Sequence, residues 1–135
     1  MLYAYAEATV PKLSLIVRKA FGGAFIALSS RGIGHDCIMA LPTAEIAVMG
    51  AEGAANIIFR REIEAAEDSQ REIIRKAKID EFRRKFSRPY LAGKQGLIDM
   101  IIAPEEARWM LIKALEMTIR QKKHRSERKH GNIPL

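Results

Sequence analysis

One cysteine, Cys37, stands in the 135 residues, so no disulfide can close within the chain and a secreted disulfide framework is excluded. It falls in an apolar run, which predicts a buried, inert thiol in preference to a nucleophile. No apolar run is long enough to span a membrane, and the amino end shows no charged region followed by a signal core. The expected setting is a soluble, cytoplasmic protein without a membrane partner. Walker loops, paired-cysteine zinc patterns and HExxH arrangements are missing. His35, His124 and His130 are too scattered to be argued as metal ligands, and His130 reads as a tail residue making local contacts.

What is there is an apolar content of 48%, enough for one ordinary core, and a basic excess that leaves a net charge of +7. The basic residues concentrate around Arg71 to Arg88 and Arg120 to Lys129. Acids interleave with the first group, and no aromatics interleave to stack bases. This pattern reads as a solvated helical face and a basic tail over residues 122–135, with a folded portion over residues 1–121. Nucleic acid is not expected as a partner. That reading would need binding that survives physiological salt.

In chain order, Leu2 to Thr9 has helix-friendly alanines and reads as a helix ended by Pro11. Lys12 to Phe21 reads as one strand, with Leu13, Leu15 and Val17 alternating against Ser14, Ile16 and Arg18. Apolar residues on both faces suit an inner strand of an α/β layer. Phe25 to Ser30 gives a short helix, stopped by the glycines of Arg31-Gly32-Ile33-Gly34. Asp36 to Leu41 and Ala44 to Met49 are apolar runs divided by Pro42, either two buried strands or one bent strand. Gly50 to Phe59 returns to helix, with Ala54, Ile57 and Ile58 on one face. Repeated strand-turn-helix units indicate an α/β fold.

Glu62 to Phe86 reads as one long charged helix with a narrow apolar stripe at Ile63, Ala66, Ile73, Ile74, Ala77 and Phe82. Pro89 breaks it. Tyr90 to Gly96 is a helical turn, Leu97 to Ile102 a strand, and Pro104 opens a final helix with Glu105 and Glu106 in its first turn. Its inner side is assigned to Ala107, Met110, Leu111, Ala114, Leu115 and Met117.

The chain is organised around Lys12 to Ser30. A β-rich run that breaks at Gly22-Gly23-Ala24 and becomes helical aims unpaired backbone N–H groups, and the positive end of a helix dipole, at one spot. Such a spot suits an anion or a developing oxyanion. Glycine lets the backbone bend tightly and lie bare against a ligand. Taken alone, the Gly-Gly pair reads first as a plain strand-to-helix turn and second as an anion site.

The runs YAYAEATVPK, RKAFGGAF and LPTAEIAVMGAEGA and the ending RKHGNIPL, in that order, resemble the C-terminal part of the carboxyltransferase subunit of biotin-dependent acyl-CoA carboxylases, the propionyl-CoA carboxylase beta type. The resemblance runs from about Leu2 to Leu135 and is weakest between Glu62 and Arg84. It implies a crotonase-like (ClpP/crotonase) fold, here a partial C-terminal half-domain. A missing N-terminal carboxyltransferase portion is expected elsewhere, and Met1 falls where the family would be mid-helix, as in a cut piece. The implied reaction moves a carboxyl group from carboxybiotin, carried on a partner protein, to the α-carbon of an acyl-CoA. The implied partners are biotin carboxylase and biotin carrier subunits and further copies in a homo-oligomer.

By resemblance, the biotin-side oxyanion pocket maps to the N–H groups of Gly23 and Ala24, with Gly22, Phe25 and Ile26 beside the substrate. Biotin itself takes the α-proton in the family, so no side-chain base is required. Propionyl-type members commonly carry an acid where this chain has Ile26. Either Ile26 alters the acyl preference or it faces the core. Gly50 and Gly53 are expected first to permit close packing at a helix start and second to lie near biotin. The resemblance fits a decarboxylase or transcarboxylase subunit equally, and the long charged helix also fits a non-catalytic assembly module.

Overall fold

The computed structural model of the protein describes residues 2–121; the tail over residues 122–135, with His124 and His130, lies outside the described residues. Helix α1 (Leu2–Glu7) leads into strand β1 (Leu13–Ile16), which pairs in parallel with β3 (Cys37–Ala40), and β3 pairs in parallel with β5 (Met100–Ile101). A second parallel pair joins β2 (Lys19–Phe21) to β4 (Glu45–Ala47). The run expected as one strand from Lys12 to Phe21 is thus two. It breaks at the exposed Val17-Arg18, where the chain leaves the first sheet for the second.

Central strand β3 is buried at all four positions, which is why it reads as a continuous apolar run with no alternation. On one face Ile38 and Ala40 join Ile16, Ala20, Ile46, Ala92 and Ile98. On the other, Cys37 and Met39 meet Leu13, Leu15 and Ile102, covered by helix α7 (Ala107–Thr118) through Ala107, Met110, Leu111 and Ala114. Leu115 and Met117, expected inside, are exposed, Met117 at 76%. Their places on the helix turn them away from the sheet that Ala114 and Thr118 face. Burial raises the Cys37 thiol above its ordinary range, and the nearby Arg31 only partly offsets this, so the residue stays a protonated packing group.

Beyond the sheets lies a helical hairpin. Helix α3 (Ala51–Ile58) packs on α5 (Asp68–Phe86) through Ala51, Ala54, Ala55, Ile79 and Phe82. Small alanines let the two helices approach closely, so the buried face of α3 is alaninic, and Ile57, expected inside, is 68% exposed. The long helix expected from Glu62 is interrupted. Helix α4 (Arg60–Glu64) buries Ile63, the chain turns at Ala65 to Glu67, and α5 starts anew at Asp68 after an extended Glu67. Ile73, expected in the stripe, is 70% exposed. Lys78 bridges the turn, with Nζ 2.5 Å from Glu62 and 4.7 Å from the centroid of the Phe59 ring. Further i,i+3 and i,i+4 pairs (Arg71–Asp68, Arg75–Glu72, Arg83–Asp80, Lys85–Glu81) neutralise much of the basic run on α5.

Helix α6 (Pro89–Lys94) returns the chain to the first sheet, where only Met100 and Ile101 of the expected Leu97 to Ile102 strand form a ladder. Asp99 fixes this edge, accepting the Ile38 N–H at 2.8 Å and pairing with Arg31. Truncating the fully buried Met39 to alanine should lower unfolding free energy by about 2–5 kcal/mol. Ile73→Ala should stay within about 0.5 kcal/mol. Urea titrations of the two variants check both values.

Candidate functional site

Strand β2 ends at Phe21 in extended conformation (φ −120°, ψ 140°), and helix α2 (Gly22–Ser29) begins at once. Gly22 makes that reversal with φ +53°, a left-handed conformation that side chains disfavour. A Cβ there would also lie 3.0 Å from the Val48 carbonyl oxygen, so glycine is required twice over. Gly23 is the opposite case. Nothing stands within 4 Å of the position its Cβ would occupy, so the backbone at this point is bare to an approaching group.

No side chain caps the start of α2. The amides of Gly23 and Ala24 lie in its first turn, with no carbonyl one turn back to receive them, and the dipole adds positive potential there. Arg18 and Lys19 line a depression beside Ala24 and Leu28, which adds positive charge on that side. Backbone donors held in place by a sheet and a helix can receive charge on an oxygen without moving.

The five expected site residues do not share one surface. Gly22, Phe25 and Ile26 line an apolar groove of about 480 Å³, Ala24 lines the depression of about 380 Å³ on the other side of α2, and Gly23 stands exposed between them. Ile26 is 53% exposed, so it does not face the core of this chain. The opposite wall of the groove comes from Val48 and Met49 after β4, Phe82 and Phe86 of α5, and Leu91 and Leu97 around α6, with Gln95 as its one amide side chain. The segment Ala44 to Ala54 thus reaches the groove through Ile46, Ala47, Val48 and Met49, and not through its glycines. Gly50 stands just before α3, where a Cβ would meet the Phe21 ring at 3.5 Å, and a Cβ at Gly53 would meet no other part of the fold within 4 Å. Sequence reading missed the distant part of the wall. Its one local signal is the Phe82/Phe86 pair, four residues apart on a highly charged helix, whose rings sit 5.0 Å apart.

Other chemistry-bearing residues are occupied structurally. His35 is buried, stacked on Tyr5, with its Nδ1 donating to the Ser30 carbonyl at 3.0 Å. Lys12 Nζ donates to the Tyr5 and Ile33 carbonyls at 2.6 Å, tying α1 to the loop after α2. Among the described residues no group of three His, Cys, Asp or Glu is placed to hold a metal ion, and no helix is long and apolar enough to cross a membrane.

The family described as carboxyl transferase domain matches residues 1–133. The chain is 49% identical over 134 residues to the methylmalonyl-CoA carboxyltransferase 12S subunit of Propionibacterium freudenreichii subsp. shermanii, covering 99% of this chain and 25% of that subunit. It is 50% identical over 135 residues to the putative propionyl-CoA carboxylase beta chain of Bacillus subtilis (strain 168), covering 100% of this chain and 26% of that one. The crystal structure of a transcarboxylase 12S hexamer with methylmalonyl-CoA bound superposes with a TM-score of 0.87 at 48% identity, over 99% of this chain and 25% of that one. The chain therefore spans about a quarter of the length of these relatives.

The two glycines separate cleanly by experiment. Gly22→Ala should cost about 1–2 kcal/mol of stability from its backbone conformation alone, with the contact to Val48 adding to it. Gly23→Ala should be neutral or stabilising by up to about 1 kcal/mol, as alanine is the better helix residue. Thermal melts of both variants test the difference.

Proposed function

The chain belongs to the carboxyl transferase domain family, and from that premise we propose that residues 1–121 form the later portion of a carboxyltransferase C-terminal domain, supplying the biotin-side oxyanion pocket of a biotin-dependent acyl-CoA carboxyltransferase. Its fold is the α/β, crotonase-like fold of that family. The observation that carries the reading is the junction of β2 and α2, where uncapped amides open beside an apolar groove.

The residues fit the cofactor. A ureido oxygen requires N–H donors, and the hydrocarbon part of biotin requires an apolar wall; uncapped amides at Gly23 and Ala24 and the groove beside Phe25 and Ile26 answer these two needs. Bound biotin supplies a transferable carboxyl group on a ureido nitrogen, and its ureido oxygen gathers negative charge as that group leaves. Against that charge the amides of Gly23 and Ala24 donate hydrogen bonds, aided by the dipole of α2. Gly22 sets their direction. The apolar groove beside Phe25 and Ile26 offers the hydrocarbon of biotin a wall from which water is displaced on binding.

The relatives' names include a carboxyltransferase acting on methylmalonyl-CoA and a carboxylase of propionyl-CoA. What these share is movement of a carboxyl group at the α-carbon of a short acyl-CoA, and that step is the one assigned to this site. Ile26 stands at the mouth of the groove and tunes which acyl chain is preferred. The rest of the carboxyltransferase, biotin carboxylase and biotin carrier subunits, and further copies of the enzyme in a cytoplasmic oligomer are the partners that such a step requires.

A chimera in which this chain replaces the matching quarter of the Bacillus subtilis relative tests the assignment, with a carboxylated carrier and acetyl-, propionyl- and butyryl-CoA. Gly23→Pro removes one N–H where proline is tolerated in a helix, and should lower kcat about a hundredfold to a thousandfold. Gly23→Ala, which keeps the donor, should fall between it and the unmodified chimera. Equal rates for the unmodified and proline forms would sink the amide assignment. In the same assay Ile26→Asp should change the ratio of kcat/KM among the three acyl-CoA substrates by about tenfold, the scale of one methylene-sized contact; an unchanged ratio removes Ile26 from acyl selection.

A further inference from the structure

A single polar side chain lines the groove beside the Gly23 and Ala24 amides. Gln95 stands on the wall opposite Phe25 and Ile26, and every other lining residue is apolar or glycine. Backbone hydrogen bonds fix its place. The Gln95 N–H donates to the Leu91 carbonyl at 3.0 Å, and the Leu97 N–H returns to the Ala92 carbonyl at 2.9 Å. Between them Gly96 makes the reversal at φ +71°, a left-handed conformation that favours glycine. Ala92 and Ile98 are buried in the core, so the turn that carries Gln95 is anchored at both ends. The side chain itself is exposed, and among the described residues neither its Oε1 nor its Nε2 has a hydrogen-bond partner.

A chain lying in this groove meets hydrocarbon along its length and one side chain able both to donate and to accept. The group that matches a primary amide in both roles is a secondary amide. Its C=O accepts from Nε2, and its N–H donates to Oε1. An ester has no N–H and satisfies only half of the pair. A carboxylate fits worst: it can use only the Nε2 donors, it meets the Oε1 oxygen with like charge, and it loses hydration beside Phe86 and Leu97.

We propose that Gln95 binds the secondary amide that joins biotin to its carrier, and so selects carrier-linked biotin over free biotin, which ends in a carboxylate. The assignment rests on the reading of Gly23 and Ala24 as the biotin-side donors. With the ureido oxygen at those donors and the hydrocarbon of biotin along the groove, the linking amide is the next polar group on the arm. Gln95 is the one lining side chain that can take both of its hydrogen bonds. The pantetheine arm of CoA also carries secondary amides. The groove is given to biotin because Gly22, which leads directly into the donors assigned to the ureido oxygen, forms part of its lining.

Ligand-observed NMR titration of the chimera with the Bacillus subtilis relative, which reads no turnover, tests this with biotin N-methylamide, biotin methyl ester and free biotin. The unmodified chimera should bind the methylamide about three- to tenfold more tightly than the ester, the scale of one hydrogen bond, and free biotin more weakly than either. Gln95→Leu should make amide and ester equal. Gln95→Glu keeps an acceptor for the N–H and loses the donor, so it should bind both more weakly while still favouring the amide. A merely structural role would not separate the two variants in this way. Because the Gln95 side chain is exposed and unpartnered among the described residues, both variants should keep the circular dichroism of the chimera. An amide-to-ester ratio that Gln95→Leu leaves unchanged overturns the proposal, as does free biotin binding as tightly as the methylamide, or no binding of the methylamide at all. Pantetheine binding that weakens in Gln95→Leu also overturns it, by giving Gln95 to the CoA arm. The donor assignment at Gly23 fails independently, on the rate of Gly23→Pro.

Discussion

The pairing of β1 with β3 is the constraint on which the rest depends. Ile38, Met39 and Ala40 have no exposed surface, and their strand is sandwiched between α7 on one face and α2 with α6 on the other. A strand buried on both faces tolerates no slip in register, because a shift of one residue would exchange every side chain between two differently shaped layers. With β3 fixed, Leu13 must lie opposite Cys37 and Ile16 opposite Ala40. That register sets where the chain leaves the first sheet, and so where β2 can begin.

From there the geometry of the turn follows by steric necessity. The β2–β4 pairing sets Phe21 against Ala47, which carries the Val48 carbonyl to the position where any Cβ on Gly22 would meet it. The chain escapes through the left-handed conformation of Gly22 and enters a helix whose N-cap residue, Phe21, has no side chain able to cap it. The uncapped amides thus follow from a phenylalanine at the end of the paired strand, where a serine or aspartate would cap them. The first turn of α2 follows directly on the paired strand β2, which anchors the amides of Gly23 and Ala24 to that ladder.

The legible part of the fold was the part coded by short-range pattern. The break at Gly22-Gly23, the all-apolar β3 and the proline after the charged helix were readable, since each rests on backbone freedom or periodicity; Glu105 and Glu106, expected in the first turn of the last helix, lie in a 3-10 turn (Pro104–Glu106) just before it. The division of Lys12 to Phe21 into two strands was not, because Val17 continues the apolar alternation and only the tertiary departure at Arg18 shows the break. Ile57 and Ile58 misled for a related reason. Large apolar residues at helical spacing look like a core face, yet Ala51, Ala54 and Ala55 form it, as α3 must sit close to α5. The near side of the groove, at Gly22, Phe25 and Ile26, was indicated by the glycines and by resemblance, while Phe82, Phe86, Leu91 and Leu97 reach it from segments some 60 to 75 residues away in sequence, of which only the Phe82/Phe86 pair leaves a local signal.

Helix α2 separates two surfaces with different needs. On one side Phe25 and Ile26 face the groove, whose far wall this chain supplies itself. On the other, Ala24 and Leu28 face a strand edge whose hydrogen bonds are unmet among the described residues. Ser14 locks the helix to β1 by donating from Oγ to the Leu28 carbonyl at 2.6 Å, so α2 cannot shift independently of that edge. The first-turn amides belong to the same short helix, eight residues long and rigid on the scale of a hydrogen bond. Because hydrogen bonds weaken steeply with misalignment, the tie from Ser14 to Leu28 that holds α2 on β1 also holds the direction in which the amides of Gly23 and Ala24 point.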